Sequence, residues 1–125
     1  MSELVISVGS NYGDKVKSVE EAVSWLSSFL FDFKSSGIYK TPAVGNSSGE
    51  YINCVVSGIF SGNTEEFNEM CKVFEIESGR NEERRKRGEV PIDIDIVIAD
   101  CEIVKNWDYN QEFFKRGFKK IGIIK

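Results

Sequence analysis

The chain has 125 residues, 41% of them hydrophobic and 12% aromatic, which is the composition of one globular domain rather than of a disordered chain. A formal net charge of −4 argues against a general nucleic-acid binder, and the absence of histidine excludes Ser-His-Asp and Cys-His catalysis. No apolar run approaches the ~20 residues that span a membrane, and the first residues lack the basic start of a signal peptide, so a cytoplasmic protein is expected.

The first half of the chain predicts a strand, a helix and two further strands. Residues 4–8 are rich in β-branched side chains and end at a glycine, which is typical of a strand. Apolar residues then recur at helical spacing from residue 13 to about residue 30, and Asp14 suits the N-terminus of that helix. Residues 31–39 and 50–60 are expected to be strands, separated by turn residues at 45–49.

The second half predicts another helix, a charged loop, a fourth strand and a helical tail. Thr64 precedes two glutamates and an apolar set at helical spacing, so it is the expected N-cap, and Gly79 is the expected residue after the helix end. Residues 80–90 are highly charged without periodicity, which predicts a mobile loop. Residues 91–98 are the fourth strand, and a last helix is expected from about Trp107.

The order of these elements is β-α-β-β-α-β followed by a C-terminal extension. That order predicts an α+β, ferredoxin-like sandwich in which two helices cover one face of a four-stranded antiparallel sheet. The opposite face must be covered or used, and a ligand is expected near the loops around it.

Charges and cysteines indicate the kind of ligand and the compartment. Of the 16 lysines and arginines, five lie in residues 80–88 and five in residues 115–125, which suits a small anionic ligand better than a long polyanion. Cys54, Cys71 and Cys101 are widely separated and form no C-x-x-C pair, so buried, reduced thiols are expected.

Two aspartates on the fourth strand are the main chemical signal. Side chains alternate between the faces of a strand, so Asp93 and Asp95 share one face. The opposite face, against the helices, is expected to carry Ile92, Ile94, Ile96 and Ile98. Carboxylates ~6–7 Å apart along a strand can close on one metal ion or hold a pair of ions.

A half-exposed strand with outward polar residues is the alternative reading, but aspartate is disfavoured in strands. Oxygen ligands in a chain without histidine favour magnesium, with water and phosphate completing its shell. Glu75 could join from the second helix or simply face solvent, and Arg80, just after that helix, could contact phosphate.

Five segments recur here in the order and near the spacing of a known family. They are Val8-Gly9-Ser10-Asn11, Tyr39-Lys40-Thr41-Pro42-Ala43-Val44-Gly45, Tyr51-Ile52-Asn53, Glu75-Ile76-Glu77-Ser78-Gly79-Arg80 and Ile92-Asp93-Ile94-Asp95-Ile96. Across residues 8–96 the chain thus resembles the 6-hydroxymethyl-7,8-dihydropterin pyrophosphokinases of folate biosynthesis. The resemblance implies the same sandwich that the periodicity predicts.

The resemblance implies transfer of the β,γ-pyrophosphoryl group of ATP to the hydroxymethyl oxygen of the pterin, with release of AMP. Asp93 and Asp95 would bind two magnesium ions that bridge the triphosphate, with Arg80 beside them in catalysis. Positioning and charge neutralisation would do most of the chemical work. The residues implied to contact ATP are Glu75, Arg80, Arg87 and Ile96.

The resemblance also implies a pterin pocket. An aromatic ring can stack on the flat heterocycle, and an amide can donate and accept hydrogen bonds along its edge. The residues implied are Thr41, Pro42, Val44, Gly45, Tyr51 and Asn53. Phe118, in the segment Arg116-Gly117-Phe118, is the candidate for the opposite face of the pterin. Phe113 and Phe114 are rivals, and core packing is the alternative for all three.

Departures from the family pattern leave other readings open. A histidine-containing nucleotide segment has no counterpart, and the usual tryptophan and arginine before the carboxylate strand are replaced by Arg87 and Val90. Another basic residue of 84–87 could act over the phosphates as part of a lid. The chain also ends early, at Lys125, so a compact member of the family or a pterin- or nucleotide-binding relative of weakened activity is possible.

A third reading is a ferredoxin-like RNA-binding module, which shares the element order. Such a module needs exposed aromatic residues on the central strands and a basic surface, and the net charge here is negative. A monomer that uses small molecules, without nucleic acid or membrane as partners, is therefore expected.

Overall fold

An antiparallel sheet lies at the centre of the computed structural model, which describes residues 1–42 and 49–122. In that part of the chain the strands are β1 (Ser2–Ser10), β2 (Phe31–Ser35), β3 (Tyr39–Pro42), β4 (Glu50–Phe60), β5 (Asp93–Ala99) and β6 (Glu102–Ile103). Their order across the sheet is β2-β4-β1-β5-β6, and β3 also pairs with β4. The fold is α+β, as expected, but the prediction of four strands is wrong, because the sheet has six.

Five helices accompany the sheet in the described residues. They are α1 (Lys15–Ser27), α2 (Thr64–Glu77), α3 (Glu82–Lys86), α4 (Asn106–Tyr109) and α5 (Glu112–Lys120). None of these helices combines the length and the apolar character that crossing a membrane requires.

The larger hydrophobic core lies between the sheet and the helices α1 and α2. Both helices bury one apolar stripe, as their spacing predicts. Fully buried members of this core include Leu4, Ile6, Val8, Val19, Leu26, Phe67, Ile92 and Ile94. Since Ile96 also belongs to it, three of the four isoleucines predicted to face the helices do so.

Ile98 is the exception, and a β-bulge explains it. Val5 of β1 pairs with Ile98, but the next residue, Ile6, pairs with Ile96, so the register of β5 shifts between them. The extra residue reverses the alternation of side chains beyond Ile96. Ile98 therefore packs against the smaller core on the opposite face, while the two aspartates keep their shared face.

The smaller core is formed where α5 packs across the second face of the sheet. Phe114 and Phe118 of α5 lie against Val5, Val55 and Val97. Gly117 permits this close approach, since a Cβ atom there would lie 2.5 Å from Val55 Cγ2. The tail thus covers part of this face and leaves the rest open.

The predicted strand over residues 31–39 is interrupted. β2 and β3 both pair with β4, but a turn at residues 36–38 separates them, with Gly37 at a φ of 76°. The sixth strand, β6, forms a hairpin with β5 through Asp100 and Cys101. Their φ values of 50° and 69° are those of a tight hairpin turn, although neither residue is glycine.

Helix α2 begins one residue earlier than predicted and ends as predicted. Asn63, not Thr64, is the N-cap: its side chain accepts a hydrogen bond from the Glu66 amide, and Glu66 bonds back to the Asn63 amide. At the other end, Gly79 has a φ of 104°, and the amide of Arg80 reaches the Glu75 carbonyl. This is a Schellman ending, so the expectation for Gly79 is confirmed.

The charged segment before β5 contains a helix, so its prediction as an irregular loop is wrong. Asn81 caps α3 by accepting from the Arg84 amide at 2.9 Å. Acidic residues occupy the first turn and basic residues the last turn, which complements the helix dipole without any apolar periodicity. The tail likewise contains two helices, α4 and α5, where one was expected.

All three cysteines are free thiols. Cys54 and Cys71 are buried, as predicted, whereas Cys101 is exposed in the β5–β6 turn, so its predicted burial is wrong.

Candidate functional site

A small cavity of about 210 Å³ opens on the sheet face that α5 leaves uncovered. Its floor comes from β1, β3, β4 and β5, and its rim comes from α4 and α5. Alternation along each strand brings these side chains to the same face. The lining residues are Ser7, Gly9, Thr41, Tyr51, Asn53, Asp93, Trp107, Asp108 and Phe113.

One wall of the cavity is built around the buried amide of Asn53. Its Nδ2 donates to the Thr41 hydroxyl, which lies on the neighbouring strand β3. Its Oδ1 lies above Gly9, where a Cβ atom would come within 3.0 Å of it. Asn53 thus has the partner that a buried amide needs, and Gly9 leaves room for the amide oxygen beside the cavity.

The two aspartates lie at the edge of this cavity in different surroundings. Asp93 lines the cavity with its side chain 35% exposed, and Arg80 Nη1 donates to Asp93 Oδ1 at 2.7 Å. Asp95 is more deeply placed, with its side chain 12% exposed. Lys105 Nζ donates to Asp95 Oδ1 at 2.9 Å, and Lys72 Nζ lies 3.7 Å from the same oxygen.

Glu75 ties the helix α2 to the carboxylate strand. It is 4% exposed, and its Oε2 accepts from the Ile94 amide at 2.7 Å, between the two aspartates. Its carboxylate also pairs with Arg80 at 3.2 Å and with Lys72 at 3.3 Å. The solvent-facing alternative for Glu75 is wrong, and its contacts support the geometry of β5.

The pKa values of the aspartate pair are driven apart. Burial and the negative charge of Asp95 raise the pKa of Asp93 to about 7, against the opposing effect of Arg80. Burial also disfavours the charged form of Asp95, but hydrogen bonds from Asp93 and Lys105 outweigh it and lower the pKa of Asp95. The pair therefore tends to hold one proton between two carboxylates, as like charges in close contact do.

The donor set fits a hard divalent cation such as magnesium. An added cation would replace the proton of Asp93 and relieve the repulsion between the two carboxylates. Among residues 1–42 and 49–122, no group of three or more acidic or thiol side chains surrounds a common point. Two protein carboxylates would leave several coordination positions to water and phosphate, which is the pattern magnesium prefers.

Asn11 fixes the segment that leads into the carboxylate strand. Its Oδ1 accepts from the Val90 amide at 2.6 Å, and its Nδ2 donates to the Gly88 carbonyl at 2.8 Å. Nearby, the Arg84 guanidinium lies 5.1 Å from the ring centroid of Tyr12. The turn after β1 therefore positions the segment that contains α3.

Several residues implied by the resemblance do not line the cavity. Phe118 is 7% exposed and stacks on Phe114 in the smaller core, so its predicted place beside the ligand is not supported by the geometry. Phe113 lines the cavity instead, with Trp107 at a ring-centroid distance of 6.0 Å. The reason is helical periodicity, which turns Phe114 and Phe118 inward together and leaves Phe113 at the rim.

Other implied residues lie at a distance from the cavity or outside the described chain. Ile96 is 4% exposed on the helix side of the sheet, where it borders a separate groove of about 370 Å³ with Lys105. Arg87 is exposed and pairs with Glu89 at 3.2 Å. Pro42 is exposed at the end of β3 and does not line the cavity. Val44 and Gly45 lie outside the described residues.

Sequence reasoning missed five residues around the site. Ser7 could have been found by alternation, because it lies two residues before Gly9 on β1. The other four have no signal in the local sequence, because helix α2 or the turn after β6 carries them into place. They are Lys72, Lys105, Trp107 and Asp108.

Comparisons with known proteins agree on one family. The family model for 7,8-dihydro-6-hydroxymethylpterin-pyrophosphokinase matches residues 5–121. A 2-amino-4-hydroxy-6-hydroxymethyldihydropteridine pyrophosphokinase of Aquifex aeolicus is 33% identical over 106 residues, which cover 84% of this chain and 66% of that protein. A folate synthesis bifunctional protein of Arabidopsis thaliana is 28% identical over 98 residues, covering 77% of this chain and 20% of that protein. This chain thus spans just under two thirds of the first relative and a fifth of the second.

Proposed function

The chain belongs to the 7,8-dihydro-6-hydroxymethylpterin-pyrophosphokinase family, and we propose that it transfers pyrophosphate from ATP to 6-hydroxymethyl-7,8-dihydropterin in folate biosynthesis. The observation that carries this proposal is the pair of aspartates at the edge of a small cavity, with Arg80 on one and lysines on the other. A carboxylate pair beside a small pocket supplies both a metal site and a site for the acceptor molecule.

The cavity is proposed to hold the pterin. Its volume of about 210 Å³ is below the roughly 300–1,000 Å³ of typical ligand pockets, which suits a compact, flat heterocycle rather than a whole nucleotide. Asn53, held by Thr41, offers an amide edge for hydrogen bonds, and Tyr51 offers an aromatic face. Phe113 replaces Phe118 as the proposed residue on the opposite face. Sequence resemblance alone adds Pro42, Val44 and Gly45.

ATP is proposed to lie between the aspartate pair and the groove bordered by Ile96. Lys105 touches both places, because it lines the groove and bonds Asp95. Arg80 is proposed to contact phosphate while it remains near Asp93. Glu75 is proposed to act on the nucleotide indirectly, by holding Arg80 and β5. Arg87 would contact phosphate only after the nucleotide replaces Glu89 as its ion-pair partner.

The chemical step needs alignment and charge neutralisation more than covalent help from the protein. The pterin hydroxymethyl oxygen attacks the β-phosphorus of ATP, the bond from that phosphorus to the α-phosphate oxygen breaks, AMP leaves with that oxygen, and the hydroxyl proton is released to solvent. Asn53 and Tyr51 orient the acceptor beside Asp93, and Arg80 offsets negative charge on the phosphates. Two magnesium ions held by Asp93 and Asp95 would supply the remaining charge neutralisation.

The fold and the state of the protein are part of the same proposal. The three pairings that join β2, β4, β1 and β5 give the strand order of a ferredoxin-like sandwich, so we regard β3 and β6 as additions to it. Free thiols in all three cysteines fit the reducing cytoplasm. A monomer that recognises only small molecules is proposed.

An assay of AMP release tests the function. Purified protein is supplied with ATP, magnesium and the hydroxymethyl dihydropterin, and AMP is measured with and without the pterin. Pterin-dependent AMP is expected, and Asp95→Asn should abolish it while circular dichroism stays unchanged, because this substitution removes charge at nearly constant volume. Pterin binding without AMP release would refute the proposed catalytic activity. It would support the alternative of a pterin-binding member of the family without turnover, which Val90 suggests.

A further inference from the structure

Among the described residues, Lys105 is the cation nearest to the buried aspartate of the site, and the proposed chemical step gives it no task. Its Nζ lies 2.9 Å from Asp95 Oδ1, closer than the 3.7 Å of Lys72. The Lys105 side chain is 44% exposed, whereas that of Asp95 is 12% exposed. A partly exposed ammonium group on a long side chain therefore caps an oxygen that the proposed site needs for metal.

The backbone fixes where this ammonium group can go. The Lys105 amide donates to the Val97 carbonyl at 3.3 Å, two residues beyond Asp95 on the same strand. Lys105 also immediately precedes α4, whose Asp108 lines the cavity. From this anchor its side chain reaches the aspartate pair, and it also lines the groove bordered by Ile96.

Each aspartate of the pair already has a cationic partner without an added metal ion. Arg80 pairs with Asp93 and Glu75, and Lys105 and Lys72 pair with Asp95. Magnesium binds carboxylate oxygen at about 2.0–2.1 Å, so a magnesium ion and the Lys105 ammonium could not share Asp95 Oδ1 without strong repulsion. Magnesium binding at that oxygen would therefore displace the ammonium group.

We propose that Lys105 is a built-in counter-cation that competes with magnesium for Asp95 and moves onto the phosphates of the nucleotide when the metal binds. Magnesium alone then binds weakly, because it must displace an ammonium group that gains no new partner. Magnesium together with a triphosphate binds well, because the displaced ammonium meets negative charge. Lys105 in this way couples metal loading to nucleotide loading, and the inference rests on the metal site of the proposed function.

Calorimetric titration of magnesium without nucleotide separates this role from a merely structural one. The test variant is Lys105→Met, which keeps a long apolar stem and removes the charge, and Lys105→Gln repeats the test should the methionine variant fold poorly. Lys105→Arg keeps the charge. Lys119→Met removes the charge of an exposed lysine on α5, away from the site, and is the matched control.

The methionine variant is expected to bind magnesium alone about tenfold more tightly than the wild type, since one charge within a few ångströms shifts ionic equilibria by a factor of ten or more. The arginine and Lys119 variants should match the wild type. With a non-hydrolysable ATP analogue present, the methionine variant should lose much of the cooperativity between metal and nucleotide.

The role of Lys105 would be refuted if Lys105→Met and Lys105→Gln bind magnesium, in the absence of nucleotide, no more tightly than the wild type does. Two results would refute the proposed metal site itself, and the role of Lys105 with it. One is the absence of saturable magnesium binding to the wild type when the ATP analogue is present, and the other is unchanged magnesium binding in Asp95→Asn.

Discussion

Glu75 offers the sharpest test of how the carboxylate strand is held. Its buried carboxylate accepts from the Ile94 amide at 2.7 Å and pairs with Arg80 and Lys72. A hydrogen bond to a charged acceptor contributes roughly 1.5–3 kcal/mol, and each partly exposed ion pair contributes roughly 0.2–1 kcal/mol. Glu75→Ala should therefore lower the free energy of unfolding by about 2–5 kcal/mol.

Glu75→Gln separates the hydrogen bond from the charge. The amide oxygen of glutamine can still accept from the Ile94 amide, although a neutral bond contributes only about 0.5–1.5 kcal/mol. The ion pairs with Arg80 and Lys72 are lost. The expected decrease in the free energy of unfolding is about 1.5–3.5 kcal/mol, which is smaller than that of the alanine variant by the contribution of the retained hydrogen bond.

Urea unfolding in magnesium-free buffer, followed by circular dichroism, measures both variants without a contribution from bound metal. Glu77→Gln, an exposed position on the same helix, is the control and should change the free energy of unfolding by less than about 0.5 kcal/mol. A glutamine variant as unstable as the alanine variant would refute the hydrogen-bond argument. An alanine variant as stable as the wild type would refute the whole account of Glu75.

Three further predictions concern single contacts. The pKa of Asp93 is raised to about 7 in the metal-free fold, so the free energy of unfolding should fall as pH rises from about 4 to about 7. Urea unfolding measured across this pH range should show the decline in the wild type and not in Asp93→Asn. The same dependence on pH in both proteins would contradict the raised pKa. Asn63→Ala should lower the free energy of unfolding by about 1 kcal/mol, and Thr64→Ala by clearly less; the reverse order would restore Thr64 as the cap. Gly117→Ala should lower the free energy of unfolding by about 1–3 kcal/mol, because the added Cβ would meet Val55. Lys119→Ala on the same helix is the control and should have little effect. A Gly117→Ala protein as stable as the wild type would show that α5 packs less closely against the sheet.

Periodicity predicted the main elements well because they bury one continuous apolar face. The helix-side core follows directly from the spacing of residues such as Leu26 and Phe67, and the shared face of the two aspartates follows from alternation along β5. The interruption at residues 36–38 was less visible, because the chain remains paired with β4 on both sides of it.

The elements that sequence reasoning missed are stabilised by polar contacts rather than by an apolar stripe. Helix α3 depends on the Asn81 cap and on charge complementary to its dipole, which hydrophobic periodicity does not register. Of the four isoleucines on this strand, the bulge beside Val5 reversed only Ile98, since alternation holds until a residue is inserted.

Motifs predicted the strand-borne part of the site better than its rim. Thr41, Asn53 and Asp93 line one cavity because β3 pairs with β4, and β4 and β5 lie on either side of β1. Lys105 lies in a turn after β6 that brings it to Asp95, and no local sequence pattern predicts this contact. Phe113 takes the rim position expected of Phe118, because the packing of α5 decides which of its aromatic residues face inward.

The group that is transferred tests the central claim most directly, and ³¹P nuclear magnetic resonance can identify it. The reaction of ATP with the hydroxymethyl dihydropterin in the presence of magnesium should give AMP and, in equal amount, a pterin ester with two mutually coupled phosphorus signals. A single-phosphate ester together with ADP, or an unchanged spectrum after prolonged incubation, would contradict pyrophosphoryl transfer at the Asp93–Asp95 site.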